Sequence, residues 1–332
     1  MNDEHPLRRQ CLEMTGSFMP MCVLGAAAEL DLFTSLGEEW LDAGGVAERL
    51  GADRRAVATL LDALAALEYL DKREERYRVP EALRPILTEG PDESVLPMIR
   101  HRMNMLRHWG QLAWTVKTGV PFPGQESIRG FEADRAAFIG AMHAASRDAA
   151  DRVVAQLGPP RFEQLLDVGG ASGTWTRAFL RTAPKARATV FDLPDAIEQA
   201  RHRFAGSEME GRVTLVAGDF YVNELPAGAD FAWISAVIHQ HSRRHTRALF
   251  AKVHRALRQG GTVAVRDIVM DPSRTRPVAG ALFAVNMLVG TQTGGTFTFD
   301  EIAEDLLAAG FRNPRLALES EWMDSVVVAE KA

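Results

Sequence analysis

Four short stretches carry residues whose types and spacing suit chemistry. The first is Leu166-Asp167-Val168-Gly169-Gly170-Ala171-Ser172-Gly173, an apolar run that ends in an acid and meets a glycine-rich turn. Glycines let backbone approach a ligand closely and take unusual dihedrals. A dinucleotide site would want Gly-x-Gly-x-x-Gly, with a helix N-terminus facing a pyrophosphate. That spacing is absent, and a carboxylate ahead of the turn would repel a pyrophosphate while suiting a cationic or amino-bearing ligand. The second stretch, Phe191-Asp192-Leu193-Pro194, puts an acid at a strand end, where it can accept from both hydroxyls of a ribose. In the third, Asp219-Phe220, a carboxylate can take an adenine amino proton while an aromatic ring covers the base. One acid at a strand end is usually a cap or turn former. Asp167, Asp192 and Asp219 close three successive strands, at the crevice where open α/β sheets bind ligands, and point to a nucleoside. The fourth stretch, Ala236-Val237-Ile238-His239-Gln240-His241, brings a histidine just beyond a further strand.

The elements that must position these residues alternate from Phe162 onward, which predicts a parallel sheet with helices on both faces. Strands are expected over 165–168, 188–191, 213–217, 231–235 and 262–266, and helices over 174–182, 196–204 and 299–309. Two late strands, 315–318 and 325–329, close the sheet with one of them antiparallel. The first part reads instead as helices with a small β element. Apolar residues at helical spacing run from Cys22 to Leu36, with Gly37 placed to end that helix. A short helix follows over 45–50, and Asp53 caps a third through Val57, Leu60, Leu61, Leu64 and Leu67. Tyr69-Leu70, a charged turn over 71–76 and Tyr77-Arg78-Val79 make a hairpin that ends at Pro80. Three helices and a hairpin form a winged helix. Between Pro97 and Gln156 the pattern is helical and rich in Met, Trp and His, broken at Pro121–Gly124. Its soft side chains suit either core packing or an apolar pocket.

Composition limits the partners. The chain has 332 residues, 46% hydrophobic and 25% charged, and a formal net charge of −6. The first hundred residues hold 11 Lys and Arg against 19 Asp and Glu, a balance of −8. A DNA reader must present cations to phosphates, so the winged helix reads as a dimerisation platform and active-site lid, with no nucleic acid as partner. The apolar runs, Met19–Ala28 among them, fall short of a membrane span and soon meet Glu29 and Asp31. Asp3, Glu4 and His5 do not open a signal peptide. Cys11 and Cys22 make neither a disulfide framework nor a four-ligand zinc site and read as buried free thiols. A cytoplasmic enzyme that contacts no membrane fits these features.

Taken in order, Asp-Val-Gly-Gly-x-x-Gly, Phe-Asp-Leu-Pro, Gly-Asp-Phe and the histidine after the fourth strand resemble the small-molecule O-methyltransferases. This family holds plant caffeate and flavonoid enzymes and bacterial antibiotic-tailoring enzymes. The likeness covers most of the chain and implies an α/β fold, a Rossmann-like S-adenosylmethionine (SAM) domain preceded by a mainly α winged-helix dimerisation domain. It implies a dimerisation domain over 1–95, linking helices that contribute to the substrate pocket over 96–160, a catalytic domain over 161–332, and a homodimer. SAM, leaving as S-adenosylhomocysteine, would be held by Asp167, Gly169, Gly170, Gly173, Asp192, Leu193, Asp219, Phe220 and Ser235. His239 would deprotonate the acceptor hydroxyl, and Asp267, ending the neighbouring strand, would orient the imidazole through its far nitrogen. Met105, Trp109, Phe138, Met142, Asn286 and Met287 would line the pocket for a small, aromatic phenol or enol. His245 and His254 read as residues of a solvated helix, and a zinc site from His239, His241 and His245 is not expected.

The chain departs from the family's pattern at four points. Ala171 stands where a third glycine is common, and Asp267 stands where glutamate is usual. The customary histidine triplet is altered to His239-Gln240-His241, and Gly294-Gly295 is followed by Thr296-Phe297, without the second acid of the family. The competing readings are a SAM-binding relative with non-methylating chemistry (hydroxylation, decarboxylation or a pericyclic reaction) and a winged-helix regulator that senses SAM.

Overall fold

A computed structural model of the chain describes residues 6–90, 93–158 and 161–332. Asp3, Glu4 and His5 of the opening segment lie outside the described residues. The chain begins with α1 (Pro6–Gly16) and α2 (Phe18–Glu29). Ser17 between them keeps helical dihedrals, φ −63° and ψ −17°. Pro6–Glu29 is therefore one 24-residue stretch, long and apolar enough by length and composition alone to cross a membrane. The separate apolar runs of the sequence hide this length, because Ser17 does not break the helix. Cys11 on α1 is exposed and Cys22 half-buried, so the thiols are free but not buried as expected; α1 itself buries no residue.

The single helix expected over Cys22–Leu36 is broken. Asp31 takes a left-handed φ of +57°, a conformation that Asp tolerates better than most residues, and α3 (Leu32–Leu36) starts after it. Strand β1 (Leu41–Asp42), α4 (Ala43–Leu50) and α5 (Arg54–Ala66) follow. Asp42 and Asp53 cap the two helices, accepting from the Gly45 and Ala56 amides at 2.8 Å each. The hairpin is β2 (Asp71–Arg73) and β3 (Arg76–Arg78), turning at Glu74 with φ +53°. Its first strand thus starts at Asp71, two residues later than Tyr69, and β1 joins to give the order β1-β3-β2. Phe33, Leu36, Leu61, Leu64 and Tyr77 are the centre of this core. Next come α6 (Arg84–Leu87), α7 (Leu96–Trp109), α8 (Leu112–Thr118) and α9 (Phe131–Leu157). Two compact units result: residues up to Arg107 together with Gly124–Ala144, and His108–Pro123 together with Ala145–Ala332.

The second unit is built on seven strands. Along the chain run β4 (Gln164–Val168), α10 (Thr174–Thr182), β5 (Arg187–Asp192), α11 (Pro194–Phe204), β6 (Val213–Ala217) and β7 (Ala229–Ser235). Then follow α12 (Arg243–Ala256), β8 (Leu257–Asp267), β9 (Val269–Met270), α13 (Val278–Gly290) and β10 (Phe297–Thr298). The last elements are α14 (Phe299–Ala308), β11 (Arg312–Leu318) and β12 (Ser325–Glu330). The order in the sheet is β11-β12-β8-β7-β4-β5-β6, with β12 antiparallel to both neighbours. Side chains alternate across the sheet: Leu165, Phe231 and Trp233 join one core with Trp175, Phe179 and Phe204, while Leu166, Val168 and Ile234 join another with Phe250 and Phe311. Both faces are covered, as a parallel sheet requires. The chain leaves β4 toward β5 on one side and returns through β7 on the other, so the strand order reverses beside β4. Ligands bind at the carboxyl ends of the strands at such a reversal.

Candidate active site

The glycine-rich turn follows β4 at this reversal. Asp167 is 1% exposed, and its Oδ2 accepts from Thr176 Oγ1 of α10 at 2.6 Å. Its Oδ1 is buried with no partner. Burial pushes this carboxyl up to about 7; the charge of Asp192 adds to the rise, and the bonds from Thr176 oppose it. A Cβ on Gly170 would lie 2.7 Å from Asp167 Cγ, so only glycine leaves the carboxylate its space. Gly173 has φ +77°, and its missing side chain admits the Phe204 ring. Gly169 likewise carries a positive φ, +70°, beside Val237. Ala171, where the turn has no glycine, is held left-handed at φ +45°. Its amide donates to Asp192 Oδ2 at 2.7 Å, and the Leu193 amide donates to Asp192 Oδ1 at 2.6 Å. Burial raises the Asp192 carboxyl, and these two amides oppose the rise.

Asp219 lies two residues past β6 and accepts from the Tyr221 amide at 2.7 Å. Phe220 lies 5.1 Å from the Tyr221 ring and 5.5 Å, edge-on, from His241. The Tyr221 hydroxyl is hydrogen-bonded to His241 Nδ1. Burial brings the His241 imidazole down to about 4, with the neighbouring His239 and His245 adding to the fall, so it is neutral at pH 7. Ser235, at the end of β7, is taken up by a structural network. Its Oγ accepts from Arg266 Nη1 at 3.0 Å, while that guanidinium pairs with Asp324 at 2.6 Å and lies over Trp175.

On the other side of the reversal, Ala236 turns left-handed at φ +57° and a short 3-10 turn, Ile238–Gln240, carries His239. His239 and Asp267 are both buried, and His239 Nδ1 lies 2.9 Å from each oxygen of Asp267. The Ile268 amide also donates to Asp267 Oδ1, at 2.8 Å. An ionised carboxylate only accepts, so the proton sits on Nδ1 and Nε2 keeps its lone pair. The Phe283 ring of α13 packs edge-on against the imidazole at 4.8 Å. The His239 carbonyl accepts from the Gly295 amide at 2.8 Å, which ties the Gly294-Gly295 turn to the site. Among the described residues no group of three or more His, Cys, Asp or Glu side chains is arranged to hold a metal.

Asn286 and Met287 lie one helical turn beyond Phe283 on α13, and the Trp109 indole donates to Asn286 Oδ1 at 2.9 Å. Met105, Phe138 and Met142 belong to the first unit, where Phe138 lies edge-on to His101 at 5.2 Å. Phe283 escaped sequence reasoning, because the nearly uniform apolarity of α13 hides which face turns toward His239. The Thr176 bond to Asp167 was open to it, since a hydroxyl one turn into the helix after such a motif is well placed to reach back.

The chain is similar in sequence and fold to known proteins. A sequence model of the O-methyltransferase domain matches residues 102–312, and one of the O-methyltransferase dimerisation domain matches residues 12–82. The tetracenomycin polyketide synthesis 8-O-methyl transferase of Streptomyces glaucescens is 31% identical, with 96% of this chain and 96% of that protein covered. The 3-hydroxy-5-methyl-1-naphthoate 3-O-methyltransferase of Streptomyces sahachiroi is also 31% identical, over 93% of this chain and 91% of that protein. The crystal structure of human N-acetylserotonin methyltransferase in complex with SAM covers 100% of this chain and 99% of its own, with a TM-score of 0.80 at 26% identity.

Proposed function

The chain belongs to the SAM-dependent O-methyltransferase family, and from that premise we propose that it methylates a phenolic or enolic hydroxyl of a small aromatic metabolite with His239 as general base. The observation that carries this reading is the buried His239–Asp267 pair, which leaves Nε2 as the free proton acceptor. The acceptors in the relatives' names, a polyketide, a hydroxynaphthoate and N-acetylserotonin, are of the same chemical kind.

The residues of the turn fit the cofactor. Asp167 has a buried oxygen free to accept from a cationic amino group, and Gly170 keeps the space beside it open. Each oxygen of Asp192 accepts one backbone amide and has a second lone pair for a ribose hydroxyl. Asp219 and Phe220 supply a carboxylate and a ring for adenine. Bound SAM supplies an electrophilic methyl group on a sulfonium. His239 Nε2 takes the hydroxyl proton as the acceptor oxygen becomes nucleophilic, and Asp267 holds the resulting imidazolium in place. Phe283 fixes the ring plane and keeps water from one side of it. His239→Gln is expected to leave the affinity for S-adenosylhomocysteine unchanged and to lower turnover by about 10²–10⁴-fold. Equal methyl transfer by wild type and variant to a high-pKa phenol would overturn the base assignment. A phenol already ionised at the assay pH should lose less.

The match to a dimerisation domain supports a homodimer, with Leu12, Met14, Phe18 and Met19, all exposed in the single chain, as its contact. Light scattering at micromolar concentration should give twice the chain mass, and a monomer would contradict this.

A further inference from the structure

Hydrogen-bond chemistry fixes the orientation of one amide near the imidazole. An indole N–H can only donate, and it faces Asn286 across 2.9 Å. The oxygen and nitrogen of an amide look alike, so the partner decides which is which. Here the oxygen must face Trp109, which turns Nδ2 away from it as a donor. The amide forms no other hydrogen bond among the described residues. Phe283, Asn286 and Met287 stand at i, i+3 and i+4 on one face of α13, and Phe283 of that face touches His239. The amide therefore follows about 4.5 Å along the helix from the ring that packs on the base.

We propose that Trp109 is a positioning residue that holds the Asn286 amide as a donor, so that the enzyme selects aromatic acceptors with a carbonyl beside the hydroxyl to be methylated. The inference rests on the reading of His239 as the base that receives that hydroxyl. A fixed donor rejects a neighbouring donor and rewards an acceptor. A carbonyl next to a phenol ordinarily keeps the phenolic proton in an internal hydrogen bond. When Asn286 Nδ2 donates to the carbonyl, that internal bond weakens and the proton is free to pass to His239 Nε2. Trp109 touches neither reacting atom and acts through the amide.

The test compares 2-acetyl-1-naphthol with 2-isopropyl-1-naphthol, which has nearly the same shape without the carbonyl. Binding to the full chain saturated with S-adenosylhomocysteine is measured by calorimetry, and turnover with SAM is measured separately. Wild type should bind the acetyl compound more tightly. Asn286→Asp keeps an oxygen for Trp109 and loses the donor, and should weaken the acetyl compound by about tenfold while leaving the isopropyl compound nearly unchanged. Trp109→Phe keeps a ring and loses the N–H, and should erode the same preference by about threefold, since the amide is then free to turn. Equal weakening of both compounds by Trp109→Phe would assign Trp109 a packing role and overturn the proposal. Absence of any preference in wild type would also overturn it. Selective binding with methyl transfer to neither naphthol would leave this inference supported and count against the general-base reading. If Trp109→Phe fails to fold, the Asn286→Asp selectivity decides.

Discussion

Two buried aspartates at strand ends of one sheet are treated in opposite ways. Asp267, 2% exposed, has both oxygens engaged by His239 and one of them also by the Ile268 amide. Asp167, 1% exposed, has one oxygen bonded to Thr176 and the other to nothing. Leaving a buried acceptor unmade costs about 1–3 kcal/mol, more for a charged group, so the second arrangement is retained against stability. The first carboxylate is complete within the chain and suits a residue that positions another. The second keeps acceptor capacity for a group from outside the chain. On the function proposed above, the acceptor side of the crevice is a finished pair and the cofactor side half of one.

The largest effects should follow this division. Asp267→Asn should lower turnover by about 10–100-fold, the usual result of losing the partner that orients a functional imidazole. Its affinity for S-adenosylhomocysteine should stay near wild type. Asp167→Asn should do the reverse, weakening the cofactor by about tenfold or more through loss of a charged acceptor. Calorimetry beside single-turnover methyl transfer reads both. If Asp267→Asn damages cofactor binding as much as turnover, the two sides are not separable.

A smaller effect, in pH, concerns Asp167 alone. Its carboxyl is raised from 3.8 to about 7 in the fold, chiefly by burial. Between those values the folded chain holds a proton that the unfolded chain has released, so stability from this group is fully present below about pH 4 and is lost as pH rises through about 7. Asp167→Asn should remove that decline in melting temperature. A cationic group at Oδ1 favours the ionised form, so cofactor binding near pH 6 should release a proton, and affinity should rise toward pH 7.5. Calorimetry in two buffers of different ionisation enthalpy measures the release. Identical profiles for wild type and Asp167→Asn would show that another group titrates.

The strand, glycine-rich turn and helix around Asp167 were legible in the sequence because their logic is local. An apolar run, an acid and closely spaced glycines specify strand, turn and helix within ten residues, and α10 lies over 174–182 as expected. Asp267 was legible only through the strand order, which places β8 beside β7 and pairs Arg266 with Ser235. What stayed hidden depends on tertiary contacts. Asp31 breaks the expected helix because the chain must turn there to bury Leu32, Phe33 and Leu36, and no composition signal announces it. Phe283 gains its role only when α13 comes to rest over His239, and the Trp109–Asn286 bond joins residues 177 positions apart.

The smallest expected effects come from two alanines, one on each side. Ala171 sits at φ +45° in the glycine-rich turn after β4, and Ala236 at φ +57° where β7 gives way to the turn carrying His239. A left-handed L-residue costs about 1–2 kcal/mol, and glycine removes that cost. Glycine also adds about 0.5–1 kcal/mol of entropy loss on folding, so either Ala→Gly change should stabilise by about 0.5–1 kcal/mol. That corresponds to a rise in melting temperature of about 1–3 °C for a chain of this size. The two should differ in function. The Ala171 amide stays bonded to Asp192, so Ala171→Gly should leave cofactor affinity unchanged. Ala236 leads within three residues to His239, and a freer backbone there loosens the geometry on which proton transfer depends. Ala236→Gly should therefore gain stability and lose about two- to fivefold in turnover. Equal turnover in the two variants would mean that the Asp267 bond and the Phe283 ring hold the imidazole without help from the backbone.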